Sequence, residues 1–352
     1  MHEICAAIHL HTSFSDGSVD FDTLRRTAKE VGLDCVMVTD HMSLEGYRRG
    51  LGGFDGDMLV IVGYEHDDVN GKHHYLAFGI DKVIAERDHP QHYIDGVRNA
   101  GGIGFIAHPF ERRRYFRRLP AYPWHDWNVN GFDGIEIWNQ MSDWVEELRS
   151  WVRIVRFAYP RRFLTGAPRE LLALWDKLNQ ERLVAGLGGV DAHTRVLRAG
   201  PFHYTVFPLK VELKGIRTHL YLEDDPRGME PTAMERAVLD ALRDGHGFVS
   251  NFRRGDARGA RIYLRLADGS TFPPGRLPVP TAPPAFMHVV LPLAAQVRLI
   301  RNGEVAANRS GAALALPISS PGVYRVEAYR ERCPWIYSNP FRVGLPHDGA
   351  RD

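Results

Sequence analysis

Short apolar runs alternate with amphipathic stretches up to about residue 250 of the 352-residue chain. The apolar runs predict strands buried on both faces, at Ile4–Leu10, Cys35–Val38, Leu59–Val62, Ile103–Ala107, Ile135–Trp138, Leu183–Leu187 and Phe248–Val249. The amphipathic stretches predict helices, at Phe21–Val31, Gln91–Asn99, Ser142–Phe157, Arg169–Glu181 and Thr232–Arg243. Buried strands separated by helices favour an α/β fold with a parallel sheet, most simply a barrel of about seven strands.

The pattern changes after about residue 250, where helical periodicity ends and turns rich in proline and glycine separate short strands. These strands are predicted at Ala260–Leu266, Phe286–Leu291, Gln296–Ile300, Ala312–Leu316 and Val323–Ala328. Asn302-Gly303 is typical of the two-residue turn of a β-hairpin. We therefore expect a barrel domain over residues 1–255, followed by an all-β immunoglobulin-like sandwich over residues 256–352.

Composition narrows the class of protein. Basic and acidic side chains number 44 and 43, so the net charge does not favour binding to extended nucleic acid or to an anionic membrane. The three cysteines form no CxxC pair, which argues against a disulfide framework and a thiolate zinc site. No apolar run reaches the roughly 18 residues of a membrane span. The first predicted strand begins at Ile4, which leaves no room for a secretory leader, so a cytoplasmic protein is expected.

Histidines and acids lie where the predicted strands end. His9 and His11 close the first strand two residues apart, which places both side chains on one face. Later strand ends and a partner strand carry Asp40-His41, Glu65-His66, His73-His74, His108-Pro109 and Asp191-Ala192-His193. Each motif alone fits a capped turn or a hydrogen-bonded histidine. Together they crowd one rim of a barrel with imidazoles and carboxylates that lack partners unless cations are present, so the sequence predicts a multinuclear metal centre.

The ordered set of motifs resembles that of the polymerase and histidinol phosphatase (PHP) family. The likeness covers about residues 4–250 and consists of His9-Leu10-His11-Thr12, Ser15-Asp16-Gly17, Thr39-Asp40-His41, Glu65, His74, His108-Pro109 and Asp191-Ala192-His193. It implies a metal-dependent phosphoesterase on a distorted (β/α)7 barrel. The tail is similar, through Tyr324-Arg325-Val326-Glu327 and Ile336-Tyr337-Ser338-Asn339-Pro340, to the C-terminal sandwich of PHP-family hydrolases related to a carbaryl hydrolase.

The same resemblance implies which side chains bind metal. One ion would be held by His9, His11, Glu65 and Asp191, a second by Glu65, His74 and His108, and a third by Asp16, His41 and His193. Of the adjacent His73 and His74 only one can face inward, and the run from His74 to Asp81 resembles family members that hydrolyse small nucleotides, which favours His74.

The expected cofactors are two to three divalent metal ions. Nitrogen and oxygen donors suit Zn, Mn and Fe comparably, so the sequence does not choose among them. Two ions bridged by Glu65 would lower the pKa of a shared water, and the resulting bridging hydroxide would attack phosphorus. Glu65 and Asp191 are therefore the expected catalytic residues, and Asp40 is expected to orient a ligand imidazole.

Arginines beside the strand ends are candidates for binding a substrate phosphate. Arg112 and Arg113 follow His108-Pro109 in a run of five arginines and two aromatic residues, and Arg195 lies just beyond His193. A solvated or salt-bridged loop is the alternative for each of these arginines. The expected substrate is a small-molecule phosphate ester or a nucleotide, and the oligomeric state is left open.

Three other functions remain open. The tail's likeness to carbaryl-hydrolase relatives favours a carboxylic or carbamic ester hydrolase on the same metals. A binding or scaffold module that keeps metals for stability is disfavoured by the complete ligand set. An amidohydrolase barrel also begins with HxH but usually relies on a later lysine, and no lysine lies between Lys82 and Lys177.

Overall fold

The computed structural model of the protein describes residues 1–112, 120–146, 164–199, 202–279 and 285–345. Its helices are α1 (Phe21–Glu30), α2 (Glu45–Arg48), α3 (Pro90–Asn99), α4 (Gln140–Glu146), α5 (Arg169–Glu181), α6 (Leu209–Glu212) and α7 (Pro231–Arg243). The first ten strands are β1 (His2–Leu10), β2 (Cys35–His41), β3 (Gly53–Asp55), β4 (Met58–His66), β5 (Tyr75–Phe78), β6 (Ile103–Ile106), β7 (Gly134–Asn139), β8 (Ala185–Ala192), β9 (Arg195–Ala199) and β10 (Phe202–Val206). The later strands are β11 (Ile216–Leu222), β12 (Gly247–Asn251), β13 (Arg261–Leu266), β14 (Thr271–Phe272), β15 (Gly275–Val279), β16 (Ala285–Arg301), β17 (Glu304–Ile318), β18 (Gly322–Arg330), β19 (Cys333–Ser338) and β20 (Phe341–Val343).

Seven strands close a barrel in the order β1, β2, β4, β5, β6, β7 and β8, and β8 returns to β1. The mixed α/β architecture and the seven-stranded ring were both expected, but one strand of the ring is different. The predicted strand Phe248–Val249 lies in β12, which pairs with β11 and β19 outside the ring. Its place is taken by β5, which runs antiparallel to both β4 and β6, whereas every other pair in the ring is parallel.

The barrel strands are covered on both faces, as their continuous apolar runs predict. Alternate residues of β1 fall into two apolar clusters. Cys5 and Ala7 lie in the cluster that includes residues of α1, α3 and α5, whereas Ala6 and Ile8 lie in the cluster formed by residues of β2, β4, β5, β6 and β8 together with α7. This separation is typical of a closed barrel, whose strands face an inner core on one side and outer helices on the other. Every residue of β4, β5, β6, β7 and β8 is accordingly buried.

The helices around the barrel begin at local signals in the sequence. The Asp20 side chain accepts a hydrogen bond from the Thr23 backbone N–H at the start of α1, and a proline occupies the first turn of both α3 and α7. The predicted helix Ser142–Phe157 is seen only in part as α4, because residues 147–163 lie outside the described residues. No helix among the described ranges is long and apolar enough to cross a membrane.

The strands β13 to β20 are here called the C-terminal strand unit. The long strands β16 and β17 form a hairpin across Asn302-Gly303, and both turn residues have the positive φ, 50° and 88°, that such a turn requires. The predicted strands Phe286–Leu291 and Gln296–Ile300 are one continuous strand, whose first half pairs with β13 and whose second half pairs with β18. An immunoglobulin-like arrangement of this unit stays a prediction.

The C-terminal strand unit is joined firmly to the barrel. β12 and β19 pair antiparallel, so the sheet continues across the boundary predicted after residue 255. The side chain of Asn339 accepts a hydrogen bond from the Gly186 backbone N–H (2.6 Å) and donates one to the Gly186 carbonyl (3.0 Å). The guanidinium of Arg325, only 4% exposed, donates to both carboxylate oxygens of Asp176 in α5, at 2.7 and 2.9 Å. These contacts hold the unit against β8 and α5.

Candidate metal centre

The carboxyl ends of the barrel strands bring the predicted ligand side chains together. Their ligand atoms form four overlapping groups, each with all atoms within 4.8 Å of one another. The side chains are His9, His11, Asp16, His41, Glu65, His74, His108, Asp191 and His193. The groups share members, so the nine side chains form one continuous cluster rather than separate sites.

Glu65, at the end of β4 and 1% exposed, lies at the centre of the cluster. Its Oε2 lies 3.2 Å from Nε2 of His9 and 3.2 Å from Nε2 of His11. Its Oε1 lies 2.8 Å from Nδ1 of His74 and 3.0 Å from Nε2 of His108. Oε2 also lies 3.3 Å from Nδ1 of His41. The two carboxylate oxygens thus face different sets of imidazoles, which is the arrangement of a carboxylate that can bridge two ions.

Asp191 completes the group around His9 and His11. Its Oδ1 lies 3.5 Å from Nε2 of each of these histidines. The same oxygen lies 3.1 Å from Nδ1 of His193, two residues further along the chain. Asp191 therefore connects the innermost group of ligand atoms to the outer one.

The outer group is open to solvent. Oδ1 of Asp16 lies 3.1 Å from Nε2 of His193 and 3.9 Å from Nε2 of His41. The Asp16 side chain is 42% exposed, whereas His9 is fully buried. A molecule arriving from solvent therefore meets Asp16, His41 and His193 first.

Three of the ligand residues have left-handed backbone conformations. The φ angles are 67° at His9, 27° at His108 and 54° at Asp191. The pairing of β1 with β2 and with β8 shifts between Ile8 and Leu10, so a β-bulge lies at His9. Such conformations cost about 1–3 kcal/mol each in non-glycine residues, and they cluster where a side chain has to be aimed at a site. The barrel tolerates this strain at the rim that holds the cluster.

Burial and charge act in opposite directions in the cluster. Burial alone would raise the pKa of Glu65, but the facing imidazoles, His9 first among them, lower the pKa of that carboxyl well below its usual value. Burial alone would lower the pKa of His108 and of His193, yet hydrogen bonding to Glu65 raises the first to about 9, and Asp191 raises the second to about 10. In the metal-free protein, protonated imidazoles therefore balance the buried carboxylates.

The residues present fit divalent metal ions. Five buried ring nitrogens of the clustered histidines have no hydrogen-bond partner among the described residues: Nε2 of His9, both nitrogens of His11, Nδ1 of His41 and Nδ1 of His108. A buried polar atom without a partner costs about 1–3 kcal/mol. Coordination would remove that cost at the nitrogens that face the centre of the cluster, such as Nε2 of His9 and of His11, and imidazole with carboxylate is a common donor set for Zn, Mn and Fe.

Glu136 in β7 also belongs to the centre, although the sequence pattern does not single it out. Its Oε1 accepts a hydrogen bond from Nδ1–H of His9 at 3.0 Å, which leaves Nε2 of His9 facing Glu65. Its Oε2 accepts from the backbone N–H of His108 at 2.7 Å and from the side-chain amide of Asn139 at 2.9 Å. One carboxylate therefore fixes ligands on both sides of Glu65.

The sequence around Glu136 contains signals that could have revealed it. It is an acid inside the apolar run Ile135–Trp138, and carboxylates are rarely fully buried without a specific partner. Gly189 in β8 provides its space, because a Cβ at that position would lie 1.7 Å from Oε1 of Glu136. A side chain at position 189 would therefore displace Glu136.

Asp40 has a different role from the one expected. Its Oδ1 accepts hydrogen bonds from the Thr12 backbone N–H and the Ser15 hydroxyl, both at 2.7 Å, and its Oδ2 accepts from the Thr12 hydroxyl at 2.6 Å. None of its described hydrogen bonds involves an imidazole. Asp40 fixes the loop after β1 and thereby places Asp16, while Glu136 does the orienting that the sequence assigned to Asp40.

The adjacent histidines separate as the sequence predicts. His74 faces Glu65, whereas Nδ1 of His73 lies 2.7 Å from Oδ2 of Asp68, outside the cluster. His66 also turns away from the cluster, and its Nε2 lies within hydrogen-bond distance of the Ile84 carbonyl, at 3.1 Å.

A cavity of about 320 Å³ leads away from His108 and contains one of the predicted arginines. Ile137, Trp138 and Leu171 contribute apolar lining, and Arg112 lies in the wall. Arg195 lies instead on the solvent side of the cluster, with Nη2 3.3 Å from Oδ2 of Asp16. Arg113 lies outside the described residues.

No family model and no curated protein sequence matches this chain. Among solved structures, PsfC from Pseudomonas syringae PB-5123 is similar at 14% identity and a TM-score of 0.42, over 69% of this chain and 90% of that chain. A two-domain protein from Bacteroides vulgatus ATCC 8482, containing a predicted PHP-like metal-dependent phosphoesterase, is similar at 13% identity and a TM-score of 0.45, over 97% of this chain and 95% of that chain. An amidohydrolase from Chromobacterium violaceum with bound sulfate and no metal is similar at 17% identity and a TM-score of 0.30, over 59% and 95%. These likenesses carry no argument about activity, which rests on the geometry of the centre.

Replacing Glu136 by glutamine tests its role toward bound metal. The amide keeps the size of the side chain but cannot accept all three hydrogen bonds, so His9 and His108 lose part of their fixed orientation. We expect Glu136→Gln to lower the affinity for Zn²⁺ or Mn²⁺ about 10- to 100-fold in a chelator-competition titration. Glu212→Gln is the matched control, because Glu212 is equally buried but bonded to Gln140 instead. Unchanged metal affinity in Glu136→Gln would contradict the assigned role.

Metal binding should release protons. At pH 7 the metal-free protein carries protons on His9, His108 and His193, because Glu65, against the opposing effect of burial, raises the pKa of His9 well above its usual value and the pKa values of His108 and His193 are raised to about 9 and about 10. A metal ion binds only the neutral imidazole, so affinity should rise with pH until these groups have titrated. We expect calorimetry at pH 7, repeated in buffers of different ionisation enthalpy, to detect about three protons released per chain. Binding without proton release would show that these histidines are not ligands.

Proposed function

We propose that the protein is a metal-dependent hydrolase and that it cleaves a small phosphate ester. The observation that carries the proposal is the charge balance of the cluster. Six imidazoles converge there with the three ligand carboxylates of Asp16, Glu65 and Asp191, and with a fourth carboxylate, that of Glu136, beside His9. Three divalent ions would outweigh these four carboxylates and leave a net positive site, which suits a phosphoryl group better than a neutral ester.

The proposed ligand positions draw on the four overlapping groups of ligand atoms and on the distances to the two oxygens of Glu65. His9, His11 and Asp191 would hold one ion and His74 with His108 a second, and Glu65 would be shared between them; Asp16, His41 and His193 would hold a third. When bound, the ions would make a water molecule acidic enough to react near neutral pH and would neutralise charge on the phosphoryl oxygens.

The remaining chemistry comes from the protein's own side chains. Glu136 accepts a hydrogen bond from the proton on Nδ1 of His9, so that Nε2 is the nitrogen whose lone pair would face a bound ion. Arg195 stands at the solvent-exposed entrance, where a guanidinium can attract an anionic substrate. Arg112 lies in the cavity wall next to His108.

The size of the cavity supports a small substrate. A volume of about 320 Å³ is at the lower end of ligand pockets, which suits the leaving group of a small ester rather than a nucleic acid strand. The apolar lining around Trp138 suits a leaving group with an apolar or ring-shaped part.

The proposal is tested by comparing ester classes on one metal-loaded preparation. We expect hydrolysis of p-nitrophenyl phosphate to exceed that of p-nitrophenyl acetate and of a p-nitrophenyl carbamate, and to stop when a chelator removes the metal. Glu65→Gln should lower kcat by about a thousandfold, because the central carboxylate loses its charge. Asp68→Asn is the control, since Asp68 pairs with His73 outside the cluster.

Other outcomes would select another function. Turnover of the carbon esters alone would contradict the proposed phosphoesterase activity. It would support a carboxylic or carbamic ester hydrolase that uses the same metal centre. Bound metal without turnover of any ester would indicate a binding or scaffold module.

A further inference from the structure

We infer that the C-terminal strand unit supports substrate binding, with Tyr337 as a positioning residue for the wall of the cavity beside His108. The inference rests on the proposed function, because it takes this cavity as the place of the substrate's leaving group. Tyr337 does not line the cavity itself, and it acts through residues that do.

Tyr337 belongs to β19 but packs with the barrel. It is 2% exposed and lies in the apolar cluster of the barrel, whereas its neighbours Trp335 and Ile336 lie in the cluster of the C-terminal strand unit. Its ring meets the ring of Trp138 edge to face, with centroids 5.4 Å apart and an angle of 70° between the planes. Trp138 belongs to β7 and lines the cavity.

A second contact involves the chain segment just before α5. Thr165 and Gly166 line the cavity, and Gly166 has a φ of 120°, which side chains disfavour. A Cβ at Gly166 would lie 2.7 Å from Cγ of Pro334 and 2.9 Å from the Tyr337 hydroxyl. The backbone at Gly166 therefore lies so close to β19 that a residue with a side chain would not fit there.

One carboxylate links the two contacts. Asp143 accepts hydrogen bonds from Nε1–H of Trp138 at 2.9 Å, from the backbone N–H of Thr165 at 2.8 Å and from that of Gly166 at 3.1 Å. Asp143 is itself part of the cavity lining. Trp138 and Gly166, the residues that Tyr337 touches, are thus held to the same side chain, and a shift of either one moves the wall.

The third contact is the ion pair between Arg325 and Asp176. Asp176 lies in α5, and the first turn of that helix, from Arg169 to Leu171, lines the cavity. Three parts of the wall (the end of β7, the segment around Gly166 and α5) are therefore supported from the C-terminal strand unit. None of these contacts involves a side chain of the metal cluster.

From this arrangement we expect removal of the Tyr337 ring to affect the part of a ligand that fills the cavity but not its phosphoryl group. Without the Tyr337 ring, Trp138 and Gly166 lose their packing partner and the wall loses its fixed shape. The nine clustered side chains keep their contacts, so the site for a phosphoryl group stays intact. Binding of a ligand that fills the cavity should therefore weaken, whereas binding of phosphate alone should not.

The test compares Tyr337→Ala with Tyr337→Phe and with the control Tyr324→Ala. Tyr324 is equally buried in the core of the C-terminal strand unit, and its hydroxyl bonds to Ser320. Calorimetry on the metal-loaded full-length proteins measures the Kd of phenylphosphonate, which carries a ring, and of inorganic phosphate, which does not. We expect Tyr337→Ala to raise the Kd of phenylphosphonate, and the KM of p-nitrophenyl phosphate, about tenfold. Metal content and the Kd of phosphate should stay unchanged, and Tyr337→Phe and Tyr324→Ala should match the wild type.

The other possible outcomes distinguish failure of the inference about Tyr337 from failure of the proposed function. If phenylphosphonate binding is unchanged in Tyr337→Ala, or falls equally in Tyr324→Ala, the inference is overturned while the proposed function stands. If the wild type hydrolyses no ester but binds phenylphosphonate through Tyr337, the proposed function falls and the inference stands. If the wild type binds neither ligand, both fall. Should Tyr337→Ala not fold, Tyr337→Leu, which keeps apolar volume but not the ring, carries the same expectation.

Discussion

The carboxylate of Glu65 can stay ionised inside the barrel only because positive charge faces it. A buried charge without a counterion costs several kcal/mol, so the surrounding imidazoles are needed as cations themselves or as ligands of cations. The strained φ angles at His9, His108 and Asp191, and the space that Gly189 leaves for Glu136, follow from that need. These backbone conformations, and the space at Gly189, allow side chains from distant parts of the chain to meet at the carboxylate of Glu65.

The sequence predicts those residues of the site that lie at the ends of strands. A histidine or acid directly after an apolar run is a local signal, and the closed ring of strands turns such signals into neighbours in space. The partners of these residues are not local. Glu136 is hidden within an apolar run, and the role of Asp40 depends on how the loop of Thr12 and Ser15 folds back onto it.

In the fold, too, features that depend on neighbouring residues in the sequence were predicted, and features that depend on residues far apart in the chain were not. Helix α5 begins and ends at the predicted residues, because its apolar period and boundaries lie in its own sequence. Strand β11 was not predicted, since Arg217 and His219 interrupt its apolar pattern; both are buried, Arg217 over the ring of Phe252 and His219 beside Glu3. The pairing of β12 with β19 likewise depends on residues far apart in the chain. An apolar run in the sequence predicts a strand, but it does not predict which other strands will pair with it.

Anomalous diffraction from crystals grown with Mn²⁺ or Zn²⁺ tests the central claim most directly. We expect at least two anomalous peaks beside Glu65, one of them at about 2.0–2.2 Å from Nε2 of His9 and of His11. The opposite result would be metal-saturated crystals with no peak next to Glu65 and the imidazoles bonded only to carboxylates. That result would mean that the cluster is a network of charged hydrogen bonds and not a metal centre.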